Sequence, residues 1–322
     1  MSMEPDLREL EYYLESTAFA IPTRQIMDLQ ELIEEWVFTF NDCGAIIYGR
    51  SRSGKTCAIR YLSRLLQQAH GSKFPVFIYG ATAHMAGSVT DKRFYSALLS
   101  AVGHEDPHHG SAQQLRDRLV RYLICCGLDT PHHKVLLFID EAYLLDHREF
   151  QWLIGIENAL DLEGVRLAVL LVGTSELKAL KNMYIKGHKE QILHRFMEKE
   201  TEFHGITSMK DLQVCLTSLE APCRYSRTLP PVALQQAYFP QAYADNPGML
   251  QYARDIWEAY EEIQRQKGIR CEELLMKYFV DALLWCCKHY GAGGKKIYGP
   301  SKNEWLESLR RSGFAEFCSL DR

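Results

Sequence analysis

Gly49-Arg50-Ser51-Arg52-Ser53-Gly54-Lys55-Thr56 spells G-x-x-x-x-G-K-[ST], a loop whose backbone is suited to wrapping phosphate, and its flanks give it the right setting. Before it, Ala45-Ile46-Ile47-Tyr48 is a short apolar run of the kind that forms a buried parallel strand. After it, Cys57 to Ala69 places Ile59, Leu62 and Leu65/Leu66 at helical spacing. The loop therefore joins a strand to a helix. The N–H groups of Arg50 to Thr56, with Cys57 beside them, lie where the helix dipole favours an anion, and Gly49 and Gly54 let the backbone approach it. Lys55 reaches the β- and γ-phosphates as a point charge, and the Thr56 hydroxyl fills one position of an octahedral Mg²⁺. The reading is a protein that binds ATP or GTP.

Downstream, Val135-Leu136-Leu137-Phe138-Ile139 is a continuous apolar run, as expected of a strand covered on both faces, and it ends in Asp140-Glu141. A carboxylate at the end of a central parallel strand faces the crevice where α/β sheets bind ligands. Asp140 is thus placed to orient the same Mg²⁺ as Thr56, and Glu141 to polarise an attacking water. Arg166 to Gly173 reads as another buried strand, closed by Thr174-Ser175. Thr174 suits a γ-phosphate sensor, and Ser175 a cap for the helix that begins at Glu176. Pro75 to Gly80 and Glu200 to His204 supply two further strands, and Ile26 to Phe40, Asp91 to Val102 and Ala112 to Cys126 read as helices.

With 322 residues, 47% of them hydrophobic, the chain has enough apolar material for one α/β domain and a smaller helical one. The N-terminus is charged and lacks an apolar leader, and no stretch is long enough to span a bilayer, so a cytoplasmic protein with no membrane partner is expected. The ten cysteines include no C-x-x-C pair and read as reduced core thiols. A metal role for Cys271, Cys286, Cys287 and His289 would fit no common zinc spacing. A formal charge of −4 gives no global sign of nucleic-acid binding, so any such contact must come from a local basic surface.

The phosphate loop, the apolar strand ending in Asp140-Glu141 and the strand ending in Gly173-Thr174-Ser175 together resemble the AAA+ ATPases. Within them, Ile21-Pro22-Thr23, the wording Tyr48 to Thr56 and Leu171-Val172-Gly173-Thr174 resemble the transposition regulators of the TnsC/TniB/MuB group, over roughly residues 20–265. The resemblance implies a P-loop AAA+ three-layer α/β fold around a parallel sheet. It places an N-terminal extension at 1–25, the nucleotide-binding domain at 26–208, a small helical lid at 209–290 and a tail at 291–322 suited to partner docking. It also implies an ATP-dependent prokaryotic regulator that forms a ring or filament on double-stranded DNA, marks a target site, and recruits or activates a transposase together with a target-selection protein.

By the same resemblance, Arg195 completes a neighbouring subunit's site, because a guanidinium neutralises charge spreading over the γ-phosphoryl. Lys92 and Arg93 fall where the group tracks the DNA backbone, with Arg116, Arg118 and Arg121 as further basic candidates. The lid departs from the common pattern: Gly248-Met249-Leu250-Gln251 carries no arginine, and Arg254 one turn later is the substitute phosphate contact. Two alternatives share parts of this reading. An AAA+ replication initiator or helicase loader has the same ATPase motifs, usually with an added DNA-reading module. A monomeric phosphotransferase or signalling switch needs the phosphate loop alone.

Overall fold

The structure, a computed structural model, describes residues 7–16, 19–41, 44–71, 73–82, 90–222 and 230–320. The chain divides into two compact units. One comprises Asp28–Ser51 and Lys55–Phe203, the other Met1–Met27, Arg52–Gly54 and His204–Arg322.

The first unit is built on five parallel strands: β1 Gly44–Tyr48, β2 Val76–Gly80, β3 Lys134–Asp140, β4 Arg166–Gly173 and β5 Lys199–Glu202. Their order is β2-β3-β4-β1-β5. The two longest apolar runs, β3 and β4, take interior positions and pair over six residues from Lys134↔Arg166 to Ile139↔Leu171. Such runs suit strands covered by helices on both faces. β5, Lys-Glu-Thr-Glu, lies at an edge, where charged side chains reach water and discourage further pairing. It starts one residue earlier than the sequence suggests and ends at Glu202, although Phe203 still donates its N–H to the Tyr48 carbonyl at 2.7 Å.

The helix expected over 26–40 ends as an α-helix at Ile33 and continues as a π-helical turn, Glu34–Thr39, in which Phe40 N–H reaches the Glu35 carbonyl. The wider turn buries Trp36 and Val37 and lays the Phe38 ring flat on His70, with centroids 3.8 Å apart.

The second unit is helical, with one core. Leu10 and Leu14 of the Leu7–Glu15 helix share that core with Tyr260, Phe279, Trp305 and Phe314. The helix Leu7–Glu15 is therefore built into this core, and so is the helix Lys302–Arg311, whose Trp305 is 1% exposed. The lid helix expected to open at Asn246-Pro247 begins instead as a 3₁₀ turn, Met249–Tyr252, before the α-helix Ala253–Lys267. Gly248 explains the delay: its φ of +118° is non-helical, and its N–H is taken by Gln235 Oε1 at 2.6 Å. The next helix starts at Met276, not Arg270, because Leu274 bridges antiparallel to Ile206 and Glu273 accepts the Gly205 N–H. Cys286 and Cys287 lie inside this core, where burial pushes the Cys286 thiol up to about 12 and Cys287 well above its ordinary value.

Candidate nucleotide site

The phosphate loop leaves β1 at a place only glycine fits. A Cβ on Gly49 would stand 2.1 Å from the Phe203 carbonyl oxygen. Lys55, 8% exposed, opens the helix Lys55–His70 and donates from Nζ to the carbonyls of Gly49, at 2.9 Å, and Arg50, at 2.7 Å. The ammonium is thus held inside its own loop by backbone dipoles, which offset part of the cost of removing a charge from water. Ser51 is exposed at the turn, Ser53 is fully buried, and Cys57 is exposed one residue beyond Thr56. Arg52, Ser53 and Gly54 group with the helical unit. There Arg52, with φ +67°, donates from NH1 to the Tyr278 hydroxyl at 2.9 Å and accepts the Lys277 N–H at its carbonyl. A Cβ on Gly54, whose φ is +102°, would meet Met276 Cβ at 3.3 Å.

Thr56 and Asp140 are 84 residues apart in sequence, yet Thr56 Oγ1 donates to Asp140 Oδ2 at 2.7 Å. Two oxygens of the kind Mg²⁺ prefers are therefore already adjacent. Asp140 closes β3, and its Oδ1 accepts the Glu141 N–H at 3.1 Å. Glu141 takes a left-handed conformation, φ 54° and ψ 37°, which is rare for a residue with a side chain and costs on the order of 1 kcal/mol. Its Oε2 is buried with no hydrogen-bond partner.

Tyr143 is the residue that sequence reading missed here. Its hydroxyl lies within electrostatic reach of the Glu141 carboxylate. Burial first, then the neighbouring Glu141 carboxylate and the negative charges of Glu176 and Asp140, raise its pKa above the usual tyrosine value. Its ring crowds the end of β4: a Cβ on Gly173 would lie 3.1 Å from Tyr143 Cδ1. An aromatic residue two positions after Glu141 looks like any core ring in a sequence, so the only signal was its closeness to the carboxylate pair.

Thr174 follows at the end of β4. Its Oγ1 accepts the Glu176 N–H at 3.4 Å, so the threonine caps the helix Glu176–Lys186. Ser175, the cap expected from sequence, already has helical angles and makes no side-chain cap bond. The correction is physical: a capping side chain needs an extended backbone, and Ser175 has entered the helix.

Arg195 lies elsewhere on the same unit. Its carbonyl oxygen would be 2.6 Å from a Cβ on Gly44, the first residue of β1, whereas the phosphate loop leaves the last. Gly44 to Tyr48 is four residue steps, roughly 13 Å at about 3.3 Å per residue. The Arg195 guanidinium is paired with Glu157, with NH1 2.8 Å from Oε2, and its side chain is 34% exposed against 10% for Glu157.

Arg254, in the helical unit, is 85% exposed and bonded from Nε to Glu258 Oε1 at 2.7 Å, with Lys302 on the other Glu258 oxygen. Lys92 and Arg93 are exposed on the first turn of the helix Asp91–Ala101, which Thr90 caps. The residues 83–89 that lead into it are outside the described residues. Arg118 is spent internally, donating to the carbonyls of Asp106 and His109, and Arg116 donates to the Gly155 carbonyl; Arg121 is exposed.

Residues 42–180 match the family model described as AAA domain. No curated protein sequence matches the chain. Among solved structures, the chain is similar to the Aeropyrum pernix ORC2 protein in its ADPNP–ADP complexes. That likeness has 13% identity and a TM-score of 0.60, and covers 93% of this chain and 71% of that one. The ADP form of the same protein matches at 14% identity with the same score, over 93% and 72% of the two chains. The Aeropyrum pernix ORC1 protein in complex with DNA matches at 19% identity over 86% and 68%, with a TM-score of 0.45. The fold is a P-loop AAA+ fold: a parallel five-stranded sheet with helices, followed by a helical region. Among the described residues no helix is long and apolar enough to cross a membrane.

Proposed function

We propose that this chain is a Mg²⁺-dependent ATPase that oligomerises on double-stranded DNA and regulates transposition, marking a target site and recruiting or activating a transposase. The observation that carries the ATPase part is the 2.7 Å contact of Thr56 with Asp140, next to a Glu141 whose Oε2 has no partner. The two functions that phosphoryl transfer to water needs, charge neutralisation and orientation of the nucleophile, then lie at one strand end. The glycine at 49 and the left-handed Gly54 fit a loop that must close around phosphate oxygens.

In this reading Lys55 exchanges the carbonyls of Gly49 and Arg50 for phosphate oxygens as ATP enters. Thr56 and Asp140 would hold the magnesium ion, which when bound neutralises phosphate charge. Glu141 orients the attacking water and accepts its proton, and Thr174, at the neighbouring strand end, faces the γ-phosphate side of the crevice. Arg195 acts on the site of the next subunit, and Arg254 serves the lid. Residues 26–208 form the nucleotide-binding domain, 209–290 the lid, and 291–322 a segment for partner docking. Lys92 and Arg93 contact DNA phosphates without reading bases.

The transposition assignment is supported by the wording of residues 48–56 and 171–174. A second reading, a replication initiator or helicase loader, is supported by the fold likeness to Aeropyrum pernix ORC2 over 93% of the chain. Light scattering and electron microscopy with a non-hydrolysable ATP analogue, with and without random-sequence duplex, test what the two share. Large assemblies that need both ligands are expected, and a monomer under every condition would overturn both in favour of a solitary nucleotide switch. Footprinting on unrelated duplexes then separates the two: uniform protection supports the transposition regulator, and protection of one sequence alone the initiator.

A further inference from the structure

Arg195 and Glu157 stand at the end of the sheet away from the phosphate loop, where they form an ion pair. NH1 is 2.8 Å from Oε2, the distance of a charge-assisted contact, and the pairing engages this one nitrogen. A guanidinium has five N–H donors in a rigid fork. An acid that engages NH1 alone anchors the charge and leaves the other donors of the fork uncommitted.

Glu157 also has little reason to be where it is unless the pairing matters. It lies on the helix His147–Leu162 between Ile156 and Leu160, both nearly fully buried, and is itself only 10% exposed. A carboxylate is expensive to desolvate there without a cation. Arg195 is fixed from its backbone side as well, because its carbonyl packs against Gly44, where any side chain would clash.

We infer that Glu157 is the positioning residue for Arg195, holding the guanidinium with its donor fork outward so that it meets the triphosphate of an adjoining copy of this chain. This rests on the reading of Arg195 as a residue acting in trans. The inference adds that the arginine's aim is set within its own subunit before assembly, by an acid that touches neither nucleotide nor partner.

The test uses DNA-bound oligomers of the full chain. Glu157→Gln is expected to lower kcat on the order of ten-fold or more while KM for ATP moves less than two-fold, since an arginine of this kind acts on the transition state. Glu157→Asp, which keeps the charge, is expected to recover most of that loss. Mixing decides where the defect acts. Glu141→Gln subunits hydrolyse nothing in this reading but carry an intact Glu157–Arg195 pair, so an excess of them is expected to restore turnover in the Glu157→Gln loops they adjoin. If the mixture stays slow, or if Glu157→Gln matches wild type in kcat, the inference is overturned. Arg195→Ala in the same two assays separates it from the underlying reading: loss and rescue there, with no loss in Glu157→Gln, sinks the positioning role alone. Full activity of Arg195→Ala sinks the trans-acting arginine itself.

Discussion

The two ends of the parallel sheet are built by opposite rules. At the C-terminal ends, β1, β3 and β4 stop in Gly49, Asp140-Glu141 and Gly173-Thr174. Polar groups there are held by short hydrogen bonds and a left-handed Glu141, and one carboxylate oxygen is left unmatched. At the N-terminal ends, the segments entering β1, β2 and β3 close into a ring cluster. His70 stacks on Phe38, Phe74 and His132 pack edge-on or tilted around them, and Lys134 Nζ donates to the Val37 carbonyl and Asn41 Oδ1, both at 2.6 Å. One end keeps a strained Glu141 and an unmatched carboxylate oxygen, and at the other the rings pack on one another and the Lys134 ammonium is hydrogen-bonded. The carboxylate pair and this ring cluster are thus held at opposite ends of the same strands.

The largest effect is expected at Glu141. Glu141→Gln is expected to cut kcat about 10²- to 10⁴-fold, the range for a positioned general base, while leaving the melting temperature near wild type. A steady-state ATPase assay beside a thermal melt checks it, and a variant that hydrolyses ATP normally would remove Glu141 from the chemistry. At the other end the pattern should invert. Phe74→Ala empties a fully buried site, so a loss of about 3–5 kcal/mol in a denaturant titration is expected, with turnover per folded molecule retained. Equal loss of stability from both variants would show that the two ends are not divided as described.

Two smaller effects sharpen the comparison. Lys92→Ala with Arg93→Ala should weaken duplex binding uniformly across sequences. It should also flatten the slope of log K against log salt by about 1.8, at about 0.9 per phosphate contact, as read by fluorescence anisotropy. The smallest lies in the ring cluster. Burial, then the charges of His70 and Lys134, lower the His132 pKa below its ordinary 6.5, against a weaker raising effect of Glu34. The folded state therefore favours neutral His132, and its contribution is complete above pH 6.5 and lost as the pH falls from there toward the lowered value. Melting between pH 7 and 5.5 should show a drop that His132→Gln reduces, and an unchanged drop would remove His132 from that linkage.

Much of the first end was legible because its chemistry is local. Gly49 to Thr56 must be contiguous to wrap one phosphate, and Asp140-Glu141 must follow a buried strand, so both motifs survive as patterns in the chain. The partnership of Thr56 with Asp140 was also legible, since a strand-loop-helix and a strand-acid pair have one way to share a crevice. Tyr143 was not, because its role depends on a ring packing against Gly173. Glu157 was not, because an acid within an amphipathic helix reads as solvated until its burial is known. The cap on the helix Glu176–Lys186 went to Thr174 and not Ser175 for a similar reason: the backbone angle at the strand exit decides which hydroxyl points back, and neighbouring Thr and Ser leave that open.

The helical unit was the harder half. Its helix pattern was visible, but Gln235 taking the Gly248 N–H and the Ile206–Leu274 bridge, which delay two helices by several residues, join positions that are remote in sequence. The buried Trp305, which ties the last helices into the same core, is likewise a matter of packing.

The strand-loop-helix that can cradle phosphate, the carboxylate pair and the parallel α/β fold are written locally in the chain, because glycine placement, apolar runs and charge at strand ends act through near neighbours. Tertiary packing alone set the Tyr143 ring against Gly173, paired Arg195 with Glu157 away from its own loop, and brought the helix Leu7–Glu15 and the last helices into one core. Those outcomes depend on burial and on contacts between residues tens to hundreds of positions apart, which no local pattern specifies.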